Sequence, residues 1–454
     1  MKNTKKNLSL LIITSIYLSC SAYNPIRIAT GAASKYVCSG VFISNLDPDR
    51  VYEETLRPAT GMGLVDWALR YRVDQTRKEV TANFAGGSES RSRYREGMGC
   101  LLANDIPENI SAKKVTLPNS PATLSETAWP ELVEPATAGL RLALDRAFEE
   151  SSDTPHRWTR AVVIIHNGKL IAERYSPGYS IRSIFPGNSL TKSTINAIAG
   201  ILVKQGKLSI ESPVRISAWQ KSEDPRSKIT TDQLMRMSSG LPLDEPSFRL
   251  WFTESNMDSY AQSFSLEQDP GTKWNYSNAG YQILSRIVRD STGRDAQTFM
   301  EFVHRELFAP LGIKKATLTF DSSDIPVGSN GMFASARDWA LLGMLYLNDG
   351  FAGRKRILPD GWLKYSTMQT LDTGYGAGFW LNVTDNKIPQ FGIRWGMPHA
   401  PKDTFFGRGH LGQYIVIIPS KKLVIVRLGV SHGRGGEIES VGQLVSDVIA
   451  DLEK

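Results

Sequence analysis

The chain has 454 residues, 41% of them apolar and 22% charged, which suits a globular protein that buries a full core. That length exceeds the usual size of one domain, so we expect one large unit with a smaller segment attached. The formal net charge is +7, but the basic residues are scattered and form no run of five or more like charges. The charge pattern therefore argues against a nucleic-acid-binding protein.

The amino terminus has the pattern of an export signal. Three lysines precede the apolar run 8–18, which is too short to span a bilayer comfortably. We expect residues 1–22 to be a secretory signal peptide that directs the protein to the periplasm, with cleavage after Ala22. The alternative is a lipoprotein signal in which Cys20 is lipidated and anchors the protein to the cell envelope, although Tyr17 stands where that motif prefers leucine.

Composition divides the rest of the chain into three parts. Residues 23–115, the N-terminal segment, mix short apolar runs with polar breaks and contain a Gly- and Ser-rich stretch typical of a loop, 86–92. No catalytic or binding role can be assigned to this segment from its sequence. Residues 116–159 are expected to be a linker and a leading helix, and residues 160–454 form the main unit.

The N-terminal segment contains the other two cysteines, Cys38 and Cys100. In an oxidising compartment the simplest use of an even pair is a disulfide, and we expect one that staples this segment. The alternative is two free thiols in the core.

The main unit is expected to begin and end with strands. Two apolar runs flank an Asn-Gly turn at 167–168, and two more flank residues 419–422, so each set predicts a hairpin. Apolar residues at helical spacing predict helices over residues 193–205, 231–237, 279–292, 296–308, 336–348 and 437–452. This order of elements predicts an α+β fold, with an antiparallel sheet whose outer strands come from the two ends of the unit.

Ser189 and Lys192 have the spacing of an activated nucleophile and its base. Serine is a weak nucleophile at neutral pH, and a lysine one helical turn later lies on the same helix face. The Pro-Gly-Asn run 186–188 can turn the chain into that helix and leave Ser189 near its positive end. Burial or nearby positive charge would keep Lys192 partly neutral, as a base requires. Taken alone, Ser189 would be an ordinary helix cap.

Tyr276 and Asn278 supply candidate partners in a Tyr-Ser-Asn motif. The tyrosine could relay a proton between Ser189, Lys192 and a leaving group. The asparagine could hydrogen-bond both Lys192 and a substrate amide. In isolation both would be turn residues, so their roles depend on that of Ser189.

The third motif is His410, Leu411 and Gly412. The strand expected to open at His410 could present the backbone N–H of Gln413 opposite that of Ser189, giving two donors for an oxyanion. His410 itself is expected on the rim of the site, in contact with a substrate carboxylate or carbonyl.

Each motif is short and has a chance match elsewhere in the chain. Ser111 to Lys114 fit the first motif, Tyr346 to Asn348 the second and His166 to Gly168 the third. Context separates the two sets, because only Ser189 opens a long apolar helix.

From about residue 160 to residue 448 the chain resembles the class C β-lactamase and penicillin-binding-protein-like serine hydrolases. This group includes carboxylesterases, D-aminopeptidases and hydrolases of the 6-aminohexanoate-dimer type. The resemblance extends beyond the three motifs to segments in the same order, residues 206–214, 229–231, 238–241, 270–281 and 307–312.

The resemblance implies an αβα sandwich, in which an antiparallel sheet lies beside an all-helical region and the site occupies the cleft between them. By position it makes Ser189, Lys192 and Tyr276 catalytic and assigns substrate binding to Asn278, His410, Gly412 and Gln413. The N-terminal segment is similar to a leader domain of some esterase-type members. The mechanism needs no cofactor, and the histidine and cysteine spacings give no metal site.

One departure affects the expected substrate. His410 stands where β-lactamases of this class and many peptidases have lysine, and histidine is mostly neutral at pH 7. We therefore expect hydrolysis of a small ester, amide or peptide by a carboxylesterase or amidase type of reaction. The alternatives are a β-lactamase or D-Ala-D-Ala peptidase and, outside enzymes, a module that binds peptidoglycan fragments. The sequence predicts no oligomeric state.

Overall fold

The computed structural model describes residues 24–104, 106–117, 131–150, 156–221, 223–243, 248–383, 387–388, 393–394, 396–432 and 436–454. The expected signal peptide, with Cys20, lies outside the described residues. Residues 118–130 and 151–155 of the expected linker also lie outside the described residues. Across the ranges just given, no helix is both long and apolar enough to cross a bilayer.

The N-terminal segment folds as one long helix against a small sheet. Helix α1, Pro25–Phe42, starts where the Asn24 side chain accepts a hydrogen bond from the N–H of Arg27 at 3.1 Å. A four-stranded antiparallel meander follows, β1 (Leu69–Asp74), β2 (Glu79–Phe84), β3 (Gly87–Arg95) and β4 (Gly99–Leu102). A disulfide joins Cys38 of α1 to Cys100 of β4, which confirms that prediction.

The strands of the main unit form a central sheet and a smaller one. Their bounds are β5 (Thr159–His166), β6 (Lys169–Tyr175), β7 (Ile184–Pro186), β8 (Thr317–Leu318), β9 (Met332–Ser335), β10 (Trp380–Leu381), β11 (Phe405–Gly409), β12 (Gln413–Ile418) and β13 (Leu423–Gly429). The central sheet has the order β10-β11-β12-β13-β5-β6, with every pair antiparallel. Strands β7, β9 and β8 form a separate small sheet.

The two predicted hairpins are present, and β6 of the first hairpin is an outer strand, but the expectation that the other outer strand comes from the carboxyl end is wrong. The first strand, β5, pairs with the last, β13, so the two ends of the main unit meet inside the sheet. The edges are β10 and β6. Every residue of β13 is buried, which requires neighbours on both sides, whereas β6 alternates buried with partly exposed residues and tolerates an edge.

The helices are α2 (Ala138–Phe148), α3 (Thr191–Lys204), α4 (Thr231–Met235), α5 (Asn278–Asp290), α6 (Ala296–Val303), α7 (Ala336–Leu347) and α8 (Gly436–Leu452). Each predicted helix is found, and its start agrees within two residues. Capping boxes at Thr230 and Ser335 fix two of these starts. Helix α7 packs on the central sheet, where Gly343 meets Val424 and Ile415.

Shorter elements connect these parts. The short helices are Pro48–Val51, Glu108–Ser111, Arg249–Phe252, Met257–Gln262, Ala309–Leu311 and Trp362–Thr367. Wider or tighter helical turns cover Tyr52–Leu56, Met62–Leu64, Asn188–Leu190, Ser217–Trp219, Pro225–Lys228, His304–Phe308 and Pro419–Lys421. Two-residue strands pair Phe351–Ala352 with Lys355–Arg356, and Lys387–Ile388 with Ile393–Arg394. The fold is therefore α+β, as predicted.

Candidate active site

Ser189 lies in the helical turn Asn188–Leu190 that leads directly into α3. The two residues before Ser189 are restricted in side-chain size and in backbone conformation. A Cβ on Gly187 would lie 2.1 Å from the ring of Trp339, so only glycine fits there. Asn188 has φ +47°, a left-handed conformation that asparagine tolerates better than most residues. Ser189 is thus held partly exposed in the first turn, where backbone N–H groups have no acceptor within the helix.

Lys192 is buried beneath Ser189, with 1% of its surface exposed. Its Nζ lies 2.9 Å from the Oγ of Ser189, 2.8 Å from the Oδ1 of Asn278 and 2.7 Å from the carbonyl oxygen of Ser329. Three elements therefore converge on one nitrogen. The structure brings together Ser189, Lys192 and Asn278, as the sequence predicts.

Tyr276 completes this group from the side. The Nζ of Lys192 lies 4.8 Å from the centroid of the Tyr276 ring, and Asn278 starts α5 two residues later. The ring of Tyr276 stacks on Trp380 at 5.7 Å and meets the edge of Tyr375 at 6.2 Å. This aromatic packing keeps the tyrosine beside the lysine.

His410, Leu411 and Gly412 form the turn between β11 and β12. Leu411 and Gly412 have φ +63° and +82°, as in the type I′ turns favoured in hairpins. A Cβ on Gly412 would lie 2.2 Å from a guanidinium nitrogen of Arg427, so glycine is required there. The expected strand therefore begins at Gln413, and the prediction that it opens at His410 is wrong, because a two-residue left-handed turn cannot continue a strand.

The turn at His410 is tied to the turn that carries Ser189. The Nδ2 of Asn188 donates to the carbonyl oxygen of His410 at 2.7 Å. The side chain of Gln413 donates to the carbonyl oxygens of Leu411 at 3.0 Å and Gly429 at 2.7 Å. These bonds fix the third motif beside the first and leave the side chain of Gln413 directed into the structure.

His410 is exposed at the site, and yet its charged form is disfavoured. Desolvation by the surrounding protein atoms, together with the positive charges of Arg408 and His432, lowers the pKa of His410 to about 4. Since the imidazole is neutral at pH 7, it can offer a substrate a neutral hydrogen bond and no positive charge.

Three contributors were missed from the sequence. Asn188 links the first and third motifs, and its place before Ser189 in a Pro-Gly-Asn turn was an available signal for a left-handed residue. The carbonyl of Ser329 accepts from Lys192, and the Nε1 of Trp251 donates to the Oγ of Ser329 at 3.2 Å. These two residues are distant in sequence from every motif, so no local pattern could have identified them.

The chance motif matches lie elsewhere in the fold. Ser111 ends a short helix of the N-terminal segment, and His166 ends β5 at the hairpin turn. Tyr346 is buried in α7, where its hydroxyl bonds Asn196 at 2.6 Å. Among the residues that the structure describes, no three His, Cys, Asp or Glu side chains are grouped as a metal site requires.

Comparison with known proteins agrees with this geometry. The family model described as Beta-lactamase matches residues 144–437. The 6-aminohexanoate-dimer hydrolase of Paenarthrobacter ureafaciens is 23% identical over 292 residues, covering 60% of this chain and 72% of that protein. The D-alanyl-D-alanine-carboxypeptidase/endopeptidase AmpH of Escherichia coli K12 is 22% identical over 308 residues, with 58% and 77% covered.

The fold is also that of a solved structure. A penicillin-binding protein homologue from Caulobacter crescentus superposes with a TM-score of 0.55 at 14% identity, covering 70% of this chain and 98% of that one. The family match spans more than half of the chain and includes all three motifs. The chain therefore belongs to the β-lactamase family and is a serine hydrolase that acts on ester or amide bonds.

Proposed function

We propose that the protein is a carboxylesterase or amidase that works through an acyl-enzyme on Ser189. The Oγ of Ser189 attacks the substrate carbonyl, the bond to the alcohol or amine breaks, and the hydroxyl proton reaches the leaving group. Water then cleaves the acyl-enzyme and releases the acid. The observation that carries the proposal is the 2.9 Å contact between the Nζ of Lys192 and the Oγ of Ser189.

The surroundings of Lys192 explain how it could serve as a base. The acceptors on Asn278 and Ser329 are fixed and take two N–H bonds. In the neutral amine a lone pair can face the Oγ of Ser189, which lies 2.9 Å away. The same geometry accommodates the ammonium form after proton transfer, so the proton moves without rearrangement of the site. Tyr276, beside this nitrogen, is proposed to pass the proton to the leaving group.

Two backbone N–H groups are proposed to stabilise the tetrahedral oxyanion. One belongs to Ser189 in the first turn of its helix, where the positive end of the helix favours negative charge. The other belongs to Gln413 at the start of β12. The Asn188 to His410 bond sets the distance between the turns that hold these donors, so Asn188 is a positioning residue.

We predict that Asn188→Ala lowers kcat for ester hydrolysis by roughly tenfold to a hundredfold, because the two oxyanion donors lose their shared anchor. Alanine also strains the backbone at φ +47°, whereas glycine does not. Asn188→Gly is therefore the matched control for the hydrogen bond alone. If it retains wild-type kcat, the side-chain bond has no positioning role.

Esters or simple amides are favoured over β-lactams because His410 is neutral. A neutral imidazole gives a substrate carboxylate no ion pair. The test compares a short-chain nitrophenyl ester with a chromogenic cephalosporin, using wild type and Ser189→Ala. We expect ester turnover that the variant loses and little cephalosporin turnover. Rapid cephalosporin turnover would support a β-lactamase, and failure of any activated ester to label Ser189 would support a peptidoglycan-binding module.

The pH profile provides a second test of His410. Its lowered pKa means that between pH 6.5 and 4 the unfolded chain binds a proton that the native site does not, so this residue reduces stability as pH falls. Above about pH 5 its charge does not change in the folded protein. We therefore predict that His410→Gln and wild type have kcat/KM profiles of the same shape from about pH 5 to 8. A change in kcat/KM near pH 6.5 that the wild type shows and His410→Gln does not would contradict this prediction.

We also propose that the protein acts outside the cytoplasm, in the periplasm or anchored at the cell envelope. A disulfide such as that between Cys38 and Cys100 is typical of an oxidising compartment, and the pattern of the apolar run 8–18 supports export. Lipidation of Cys20 would add membrane anchoring. Mass spectrometry of the mature amino terminus distinguishes cleavage after Ala22 from lipidation.

A further inference from the structure

Leu64 and Trp67 are large apolar side chains that project from the N-terminal segment. Leu64 is 81% exposed and Trp67 is 70% exposed, more than any other large apolar residue that the structure describes. One exposed apolar side chain is ordinary in a folded protein, but neighbouring ones often mark a surface that meets a partner. The Nε1 of Trp67 donates to the carbonyl oxygen of Leu64 at 3.2 Å, so these two residues are neighbours in space.

The turn that carries these side chains is fixed by packing on two sides. Met62 is buried and holds the helical turn Met62–Leu64 on the segment. The ring of Trp67 meets that of Phe84, the last residue of β2, edge-on with 5.7 Å between their centroids. Leu64 and Trp67 are therefore held outward, and together with the half-buried Phe84 we refer to them as the apolar tip.

The apolar tip lies at the end of the segment where α1 begins. The Oγ atoms of Thr30 and Ser90 are 2.8 Å apart, and those of Ser34 and Ser92 are 2.9 Å apart. Since four helical residues and two strand residues both advance about 6 Å, α1 runs in the same direction as β3. Its first turn therefore lies beside the hairpin between β2 and β3, which the apolar tip adjoins. The chain before Asn24 joins the segment at this end.

The apolar tip is too small for a stable contact with another protein. Leu64 and Trp67 together expose roughly 300 Å², whereas one partner in a stable protein complex contributes about 800 Å². A bilayer sets no such minimum, because apolar side chains that enter its interfacial region bind in proportion to the area they bury. Tryptophan suits that region, since its ring is largely apolar and its N–H is polar.

The chain before residue 24 favours the same partner. It contains the apolar run 8–18 and Cys20, the two parts of the proposed export signal. Cys20 lies four residues before Asn24, a span of at most about 14 Å. During export this part of the chain is held at the membrane, which places the apolar tip close to the lipid headgroups.

Arginines around the apolar tip can reach lipid phosphates. Arg70 and Arg72 are exposed on β1, and Arg27 lies in the first turn of α1. None of these three pairs with a carboxylate of the described residues. Carboxylates at the same end of the segment include Glu53, Asp66 and Glu89, and Arg57 pairs with the first two. The excess of positive charge is therefore small, so it adds a preference for anionic lipid to an affinity that is mainly apolar.

We infer that the apolar tip docks the protein on the surface of a lipid bilayer, with Leu64 and Trp67 in the interfacial region and the arginines at the phosphates. This docking goes beyond the proposed function and depends neither on hydrolysis by Ser189 nor on lipidation of Cys20. It gives the N-terminal segment a role of its own, which is to hold the main unit at the membrane.

The first experiment measures co-sedimentation with vesicles of phosphatidylethanolamine and phosphatidylglycerol. The protein is exported with Cys20→Ser, so that no lipid is attached, and material whose mass shows loss of the apolar run 8–18 is used. We expect Trp67→Ser and Leu64→Ser each to lower the partition coefficient roughly tenfold, because one large apolar side chain no longer enters the bilayer. Leu142→Ser is the matched control, since Leu142 is 49% exposed in α2, outside the N-terminal segment, and partitioning should be unchanged.

The second experiment tests the arginines with Arg72→Gln. One basic residue near an anionic surface strengthens binding roughly fivefold, so partitioning onto the same vesicles should fall by about that factor. Vesicles of phosphatidylcholine alone carry no net charge. On these vesicles Arg72→Gln should bind as the wild type does, and Trp67→Ser should still bind more weakly than both.

The inference is overturned if the wild type stays in solution with both kinds of vesicle, or if Trp67→Ser and Leu64→Ser partition as Leu142→Ser does. Sedimentation velocity without vesicles tests a second copy of the chain as the partner. A dimer that Trp67→Ser loses, in a wild type that binds no vesicles, would overturn the bilayer in favour of that second copy.

Ester turnover in solution separates this failure from failure of the proposed function. The variants at positions 64, 67, 72 and 142 should all turn over ester as the wild type does, because none of these residues lies in the proposed site. Turnover without vesicle binding contradicts docking alone. Vesicle binding by a wild type that hydrolyses no ester contradicts the proposed function alone.

Discussion

Lys192→Met is expected to lower kcat/KM for ester hydrolysis by roughly 10²- to 10⁴-fold, the usual contribution of a positioned general base. Methionine nearly fills the volume of the lysine but cannot take the proton from Ser189. The substitution also leaves the Oδ1 of Asn278 and the carbonyl of Ser329 without the donor that they share. Loss of a hydrogen-bond donor to a buried acceptor costs about 1–3 kcal/mol, so the variant should also be less stable than the wild type.

The matched control is Lys204→Met, at the exposed end of the same helix, where turnover should be unchanged. Thermal unfolding of both variants shows whether the fold is retained, and stoichiometric labelling by an activated ester reports acylation separately from turnover. A folded Lys192→Met protein with more than about a tenth of wild-type kcat/KM would remove Lys192 from the mechanism.

The helices of the main unit were predictable from sequence because their ends carry local signals. Thr230 with Gln233, and Ser335 with Asp338, form capping boxes that mark helix starts regardless of what the helices later contact. Ser189 and Lys192 were predictable for a similar reason, since one helical turn sets their separation. Local geometry alone decided these features.

The N-terminal segment was not predictable in this way. Helix α1 is buried on most sides by its own sheet and by the main unit, so its apolar residues follow no clear stripe. Three of its polar residues, Thr30, Ser34 and Ser39, are also buried. The Oγ of Ser34 lies 2.9 Å from the Oγ of Ser92 in β3. The order of strands in the central sheet likewise depends on which residues need neighbours on both sides, which is a property of the assembled sheet.

The roles of Ser329 and Trp251 also arise only in the assembled fold. They are linked to Lys192 and to Lys35 by a chain of hydrogen bonds that runs from α1 to the proposed base. No sequence spacing defines that chain. It also indicates that the N-terminal segment supports the site.

A Cys38→Ala, Cys100→Ala double variant is expected to lose about 4 kcal/mol of unfolding free energy. The disulfide spans 62 positions of sequence, and the entropy lost on closing a loop of that length in the unfolded chain corresponds to about this value. Both cysteines are almost fully buried, so alanine also leaves small voids that add to the loss. Thermal or urea unfolding of the variant, beside the wild type with and without reductant, measures the effect.

The order of events in that variant tests how far the site depends on the N-terminal segment. If α1 only covers the main unit, ester turnover should persist until the main unit itself unfolds. If Lys35 and Trp251 support Ser329 and hence Lys192, turnover should fall at a lower temperature than the unfolding of the main unit, because α1 loosens first. We expect the second result, and coincident loss of turnover and fold would show that the hydrogen-bond chain has no effect on the base.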